Sequence, residues 1–164
     1  MRPVIHKPRR GIALMEALIA IVLLSVGALG YAALQMKGLS ASSSAMWRSK
    51  AGILAYEMAD RMRANRAGVV AGSYNALGAP QAVLDCGAAA DCTPARMAQL
   101  DHAQWNATLA NDLPGGSGVV CQDASPDDGR NDATACDGAG SMLAIKVFWT
   151  ERGVASRLSL EVRP

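Results

Sequence analysis

The chain has 164 residues, 51% of them hydrophobic but only 4% aromatic. This length is enough for one domain and an anchoring segment. The formal net charge is only +2 at pH 7, and much of the basic excess lies in the first ten residues. The composition therefore gives no support for nucleic-acid binding.

The first predicted element is a long apolar helix that follows a basic leader. The run from Ala17 to Met36 carries no charge, and about 20 apolar residues suffice for a helix to cross a bilayer. Basic residues before such a run are typical of a cytoplasmic tail. Glu16 conflicts with this pattern, because a charge inside lipid costs a few kcal/mol and usually marks a functional position.

A secretory signal peptide and a plain membrane anchor each fail to explain one feature of this segment. A signal peptide has an apolar core of roughly 7–15 residues and a small-residue cleavage site, whereas this run is longer and ends without one. A plain anchor accounts for the length and the arginines but leaves Glu16 unexplained. The carboxylate could extend to the lipid headgroups, since it lies near the end of the run.

Gly11, the apolar residues after it and Glu16 resemble the processing signal of type IV prepilins and pseudopilins. The resemblance implies that a prepilin peptidase cuts between Gly11 and Ile12 and that Ile12 is then N-methylated. It also implies a subunit-assembly role for Glu16, whose carboxylate would neutralise the terminal amine of a neighbouring subunit. Such pairing avoids an unpaired buried charge. Ile12 departs from the Phe that this family most often has there.

The helix is predicted to continue beyond the apolar run, from about Ile12 to Asn65, and to end at Gly68. Small residues, including Gly27 and Gly30, let helices approach closely in lipid. Farther on, apolar residues recur at helical spacing, which indicates a core-facing stripe. These residues are Trp47, Ala51, Leu54, Met58 and Met62. The predicted segments are a cleaved leader (1–11), a transmembrane or filament-core helix (12–36), its amphipathic continuation (37–67) and a globular domain (68–164).

A second helix is predicted from Pro94 to about Asn111, after a loop from Gly68 to Ala90. Thr93 is a typical N-cap, and proline suits the first helical position. The expected apolar contacts of this helix are Met97, Leu100, Ala103, Trp105 and Ala107. His102 is expected to be a surface or half-buried residue. The sequence has no arrangement typical of a catalytic site, so no catalytic residue and no cofactor are assigned.

The four cysteines are predicted to form disulfides. They all follow the apolar run, and an even number beyond a membrane segment is typical of an oxidising compartment. They are Cys86, Cys92, Cys121 and Cys136. Three connectivities are possible, and we favour Cys86–Cys92 with Cys121–Cys136. Their spacing matches no zinc pattern, and the aspartate-rich stretch from Asp123 to Gly140 lacks the calcium-loop pattern, so no metal is expected.

The C-terminal part is predicted to form an antiparallel sheet. Gly118–Gln122 is a short strand candidate, and alternating apolar residues run from Leu143 to Trp149 and from Val154 to Val162. The intervening Glu151-Arg152-Gly153 predicts a hairpin turn. The apolar face of this sheet should pack on the second half of the long helix, which makes the fold class α+β.

This plan is similar to the pilin fold, and some local features resemble the minor pilins called PilV. These features include the Met-Arg-Ala-Asn-Arg end of the helix, the Thr-Pro helix with Trp105, and the Leu-Pro-Gly-Gly stretch. The resemblance implies a minor pilin of the bacterial inner membrane with a periplasmic C-terminal domain, later incorporated in the pilus. Its partners would be other minor pilins, the major pilin, the prepilin peptidase and the assembly platform. The alternatives are a type II secretion pseudopilin, an adhesin or DNA-uptake pilin, and a soluble periplasmic protein.

Overall fold

In the part of the chain that the structure describes, the fold consists of three helices and one antiparallel sheet. The computed structural model describes residues 10–77, 86 and 92–163. The helices are α1 (Arg10–Ala64), α2 (Arg66–Val70) and α3 (Pro94–Asp112). The strands are β1 (Ser117–Gln122), β2 (Leu143–Glu151) and β3 (Val154–Val162), in the order β1-β2-β3. The expected α+β, pilin-like fold is confirmed. The chain divides into two compact units after Ser43.

The second part of α1 supplies one side of the hydrophobic core in the unit that begins at Ser44. Ala51, Leu54, Met58 and Met62 are buried, and Trp47 packs against the same cluster. The predicted stripe is therefore confirmed. The opposite side of the core comes from alternate residues of β2 and from the helix face around Trp105, whose indole nitrogen donates to the backbone oxygen of Leu54 at 2.8 Å.

The end of α1 differs from the prediction, because Gly68 does not terminate it. The helix ends at Ala64, and the short helix α2 follows directly. Asn65 caps α2 by accepting a hydrogen bond from the Gly68 amide at 3.2 Å, and its own amide donates to the Pro94 oxygen at 2.8 Å. Gly68 is buried there, and a Cβ at this position would lie 2.6 Å from the Asn65 amide nitrogen. The glycine is required by this close packing and not by a helix stop.

Helix α3 starts as predicted but buries a different face. The Thr93 hydroxyl accepts a hydrogen bond from the Arg96 amide at 3.3 Å, and Pro94 occupies the first turn. Of the expected apolar contacts, Ala103 and Trp105 are buried, Met97 and Leu100 are half-buried, and Ala107 is exposed. The prediction for Ala107 was wrong because the buried face also includes three polar residues, which an apolar pattern does not reveal. These are Asp101, His102 and Asn106.

The sheet has the predicted hairpin and, as its third strand, the predicted short strand, which begins one residue earlier than expected. β2 and β3 pair antiparallel from Leu143–Val162 to Glu151–Val154. Arg152 and Gly153 form the turn with φ values of 52° and 79°, and this two-residue, positive-φ turn matches the twist of a hairpin. β1 pairs with the other side of β2. Trp105 approaches β1 so closely that a Cβ on Gly118 would lie 2.2 Å from its ring, so this position requires glycine.

Candidate functional site

The first functional candidate is the exposed apolar part of α1. Every residue from 13 to 39 is exposed, and the large apolar side chains among them are more than half exposed. Burying one such side chain is worth about 1.5–3 kcal/mol. The described chain gives this segment no core of its own, so its apolar surface is available for contacts outside the chain. We call residues 13–39 the exposed helix segment.

The exposed helix segment has the length and composition of a membrane span. Within the described residues, one helix passes this test, Ala13–Ala64, with a mean hydropathy of 2.4 in its most apolar window. The Ser25 hydroxyl, which would be unsatisfied in lipid, donates to the Ile21 backbone oxygen at 2.7 Å. Such back-bonding removes the need for water at this position. The helix is therefore compatible with an apolar environment.

The predicted processing residues lie at the start of α1. Gly11 and Ile12 belong to its first turn, and Glu16 is an exposed residue one turn later. The leader before Arg10 lies outside the described residues. Within the described part of the chain, Glu16 takes part in no ion pair. The carboxylate is thus placed on the helix surface and remains available to a group from another molecule.

Three glycines of the exposed helix segment contact no other part of the described chain. A Cβ placed on Gly27, Gly30 or Gly38 would meet no atom within 4 Å. By contrast, Gly68 and Gly118 are held against neighbouring atoms. Glycine lowers helix stability by up to ~1 kcal/mol relative to alanine. Glycines without an internal contact are typical of positions where another helix approaches.

The second candidate is a cluster of charged residues around Lys146, on the face of the sheet that is opposite the hydrophobic core. Lys146 lies between the core residues Ile145 and Val147 of β2 and is itself buried, because the loop after β1 covers this face. Its amine forms ion pairs with Asp123 and with Asp128, the latter at 2.7 Å, and donates to the Thr134 oxygen at 3.0 Å. The buried amine of Lys146 therefore holds this loop against the sheet. This burial is the main feature that the alternation pattern missed.

The charges in this cluster stabilise one another. Burial disfavours the charged amine, but the hydrogen bonds and charges of Asp123 and Asp128 outweigh it, so the pKa of Lys146 is raised. The Lys146 hydrogen bond lowers the pKa of the Asp128 carboxyl. The amine of Lys146 and the carboxylate of Asp128 are consequently ionised at neutral pH. An amine held as an ammonium is not a nucleophile, so the cluster is suited to structure and not to covalent catalysis.

The structure contains the two disulfides of the favoured pairing. Cys86 is joined to Cys92 with a Cα–Cα distance of 5.3 Å, and Cys121 to Cys136 with 6.1 Å. The sulfurs of Cys121 and Cys136 lie near the Asp123 carboxylate. Disulfide sulfurs are not thiolate ligands, so this group is a loop attachment and not a metal site.

His102 differs from the prediction of a surface or half-buried position, since only 4% of it is exposed. It lies beside Asn106, with 3.1 Å between its Nε2 and the Asn106 Nδ2. Burial lowers the pKa of His102, and a hydrogen bond with the Gly118 backbone opposes this only partly. The imidazole is therefore neutral at pH 7. Its place at the junction of α3 and β1 explains why a polar residue is buried there.

A polar network connects α1, α3 and the turn after α2. The Tyr74 hydroxyl donates to Asp101 at 2.5 Å and accepts from Asn65 at 3.0 Å, while Arg61 pairs with Asp101 at 3.4 Å. Burial and the Asp101 carboxylate raise the pKa of Tyr74, so the phenol stays protonated. Arg61 also pairs with Glu57, one helical turn earlier, at 2.8 Å. The burial of Tyr74 was not predicted, because no local pattern identifies it.

Residues 33–103 match a family model described as Tt1218-like, Type IV pilin Tt1218. This match supports a type IV pilin family. It spans less than half of the chain and does not include Gly11–Glu16, so the processing motif and the family match depend on different residues. Pilins are structural proteins that assemble with other pilins into a pilus. No curated protein and no solved structure matches the chain significantly.

Proposed function

We propose that this chain is a minor pilin of the PilV type that takes part in type IV pilus assembly. In this proposal a prepilin peptidase removes residues 1–11, Ile12 is N-methylated, and residues 12–36 anchor the subunit in the inner membrane. Residues 37–67 continue the helix into the periplasmic domain, 68–164. The subunit later leaves the membrane for the pilus, where it contacts other minor pilins and the major pilin.

The observation that carries this proposal is that every residue from 13 to 39 is exposed, with one carboxylate near the start. An apolar helix without an internal partner needs lipid or other helices around it. Glu16 adds specificity, because a neighbouring N-terminal amine would pair with it and remove the cost of two unpaired charges. The exposed glycines support the same interpretation, since they leave room for adjacent helices.

The periplasmic location of the C-terminal domain is supported by its cysteines. Disulfides persist in the periplasm and are rare in the cytosol, and both pairs lie beyond the apolar run. The basic residues before α1 favour a cytoplasmic leader. Together these features support a single pass with the C-terminal domain outside the inner membrane.

A secretion pseudopilin would share the helix and the processing signal, so a phenotype must distinguish the two functions. We expect deletion of the gene to reduce surface pili and pilus-dependent motility while type II secretion continues. Loss of secretion with normal piliation would contradict the pilus assignment. The description of the matched family as a type IV pilin favours the pilus.

Variants of Glu16 separate assembly from membrane insertion. In the deletion strain, Glu16→Gln should be inserted in the membrane but should fail to restore piliation, because it cannot neutralise an amine. Glu16→Asp keeps the charge on a shorter side chain and should restore part of the function. Full complementation by Glu16→Gln would show that the carboxylate is not an assembly contact.

A further inference from the structure

The two edges of the sheet differ in whether their outward backbone groups are hydrogen-bonded. The outer edge of β1 is covered: the Gly118 amide donates to Asn106 at 2.8 Å, and the Gln122 amide donates to Asn75 at 2.9 Å. In addition, the Ala76 amide donates to the Val120 oxygen at 2.9 Å. Covering an edge in this way prevents pairing with another chain. β3 forms the other edge.

The register shows which backbone groups of β3 face outward. The Thr150 amide donates to Pro114, on the β1 side of β2, and backbone groups alternate in direction along an antiparallel strand. The odd-numbered residues of β2 therefore bond to β3, and their partners in β3 are even-numbered. The outward residues of β3 are thus Ala155, Arg157, Ser159 and Glu161.

These outward groups are free in the part of the chain that the structure describes. Backbone bonds outside the regular ladders involve none of the four residues. A groove of about 780 Å³ runs along this edge, between Arg48 on one side and Pro126 and Asp127 on the other, with residues 155–161 as its floor. A row of unpaired amides and carbonyls in a groove favours an extended polypeptide.

We propose that β3 pairs antiparallel with β3 of a second copy of this chain, with Ser159 on the two-fold axis. In this register Arg157 lies opposite Glu161 of the second copy, and Glu161 opposite its Arg157. On the other face Leu158 lies opposite Leu160. Both charged residues are exposed on β3, and Leu158 and Leu160 are only partly buried. The strand is therefore complementary to itself.

The charges select this register over its neighbours. Directly opposite residues in an antiparallel pair lie about 4.5–5.5 Å apart at Cβ, and like charges there are destabilising. Pairing centred on Arg157 or on Glu161 would oppose two equal charges. Pairing centred on Ser159 makes two Arg–Glu contacts and uses the outward amides and carbonyls of all three residues. The same contact on both copies makes the interface isologous.

A cysteine at the two-fold axis tests this pairing in the full chain within membranes. The four native cysteines are all in disulfides, so an added thiol is the reactive one. In a hydrogen-bonded antiparallel pair the two Cα atoms are about 5.5 Å apart, which is within disulfide reach. Under mild oxidation, Ser159→Cys should form a covalent homodimer that non-reducing electrophoresis detects.

Val154→Cys is the matched control, because Val154 lies on the same strand and is 66% exposed. In the proposed register its two copies are about 33 Å apart at ~3.3 Å per residue, so it should remain monomeric. A monomeric Ser159→Cys protein, equal cross-linking of both variants, or cross-linking of Ser159→Cys to a different protein would each overturn the proposal.

Charge reversal tests the register itself. Glu161→Arg in the Ser159→Cys background should lower the cross-linked fraction about tenfold, because two like-charge contacts replace two attractive ones. Glu161→Gln should lower it less. Arg157 is unsuitable for this test, since its guanidinium also contacts Asp127. An unchanged fraction in Glu161→Arg would overturn the register. The pairing does not depend on the proposed pilus function, and processing at Ile12 tests that function separately.

Discussion

Met36 and Met58 belong to the same helix and have opposite surroundings. Met36 is 73% exposed, whereas Met58 is fully buried in the core of the second unit. The same difference extends along the helix. Residues 13–39 are all exposed, whereas the apolar stripe after Ser44 is covered by α3 and the sheet. Apolar side chains of the same helix are thus available for contacts outside the chain in one region, and they form the core of the domain in the other.

All three tryptophans, Trp47, Trp105 and Trp149, lie in the second unit. Their fluorescence therefore reports unfolding of this unit and not of the exposed helix segment. In the full chain in detergent, with urea as denaturant, this signal measures the stability of the second unit. If the two regions are independent in stability, variants in residues 13–39 will leave the urea midpoint of the tryptophan transition unchanged.

The largest loss of stability is expected from Lys146→Ala. Removing one partner of a buried ion pair costs about 3–5 kcal/mol, since the buried Asp123 carboxylate loses its counter-charge. The tryptophan unfolding transition should move to lower urea concentration. The double variant Lys146→Met with Asp123→Leu should recover much of the loss, because an apolar pair of similar volume needs no counter-charge. A single variant as stable as the wild type would contradict the role given to this cluster.

The next largest effect is expected from Met58→Ala. The cavity that it leaves in the core should lower the free energy of unfolding by about 2–5 kcal/mol. Met36→Ala is its matched control, since it makes the same change at an exposed position of α1. The control should stay within about 0.5 kcal/mol of the wild type. Equal losses in the two variants would mean that residues 13–39 share the core of the second unit, which would contradict the difference between the two regions.

Removing either disulfide should lower the stability of the second unit, and the two losses should differ. Chain-entropy arguments give about 3 kcal/mol for a loop of 15 residues and about 2 kcal/mol for one of 6, which are the sequence separations of the two pairs. Replacing Cys121 and Cys136 by alanine should therefore destabilise the unit more than replacing Cys86 and Cys92. The reverse order of the two urea midpoints would contradict this account.

The smallest effect concerns pH and His102. Its folded pKa is lowered by burial, so the unfolded state binds the proton more readily. Stability should be complete above the ordinary histidine pKa of about 6.5 and decrease as the pH falls below it. Urea midpoints at pH 7.5 and 5.5 should differ less in His102→Asn than in the wild type. An unchanged difference would assign the pH dependence to other groups.

The sequence was sufficient for the features that depend on local periodicity. The core stripe of α1, the N-cap Thr93 and the β2–β3 hairpin were predicted because spacing alone determines which side chains share a face. The buried state of Lys146, His102 and Tyr74 was not predicted. Each is buried by a segment distant in the sequence, such as the loop that carries Asp128, and no local pattern contains that information.

In the candidate site, too, some features could be predicted from the sequence and others could not. Glu16 and the glycines were identified from composition and position along the apolar run, and the structure adds that no described residue occupies the space around those glycines. The open edge of β3 could not be recognised from the sequence, because β1 and β3 both look like ordinary strands. Only the register and the contacts of Asn75 and Asn106 distinguish the covered edge from the open one.

The most direct test of the central claim is the N-terminus of the mature protein purified from membranes. If residues 13–39 form the anchor of a processed pilin subunit, N-terminal sequencing and mass spectrometry will find a chain that begins with N-methylated Ile12. A chain that still begins at Met1, or one cut after the apolar run so that residues 13–39 are lost, would contradict the account.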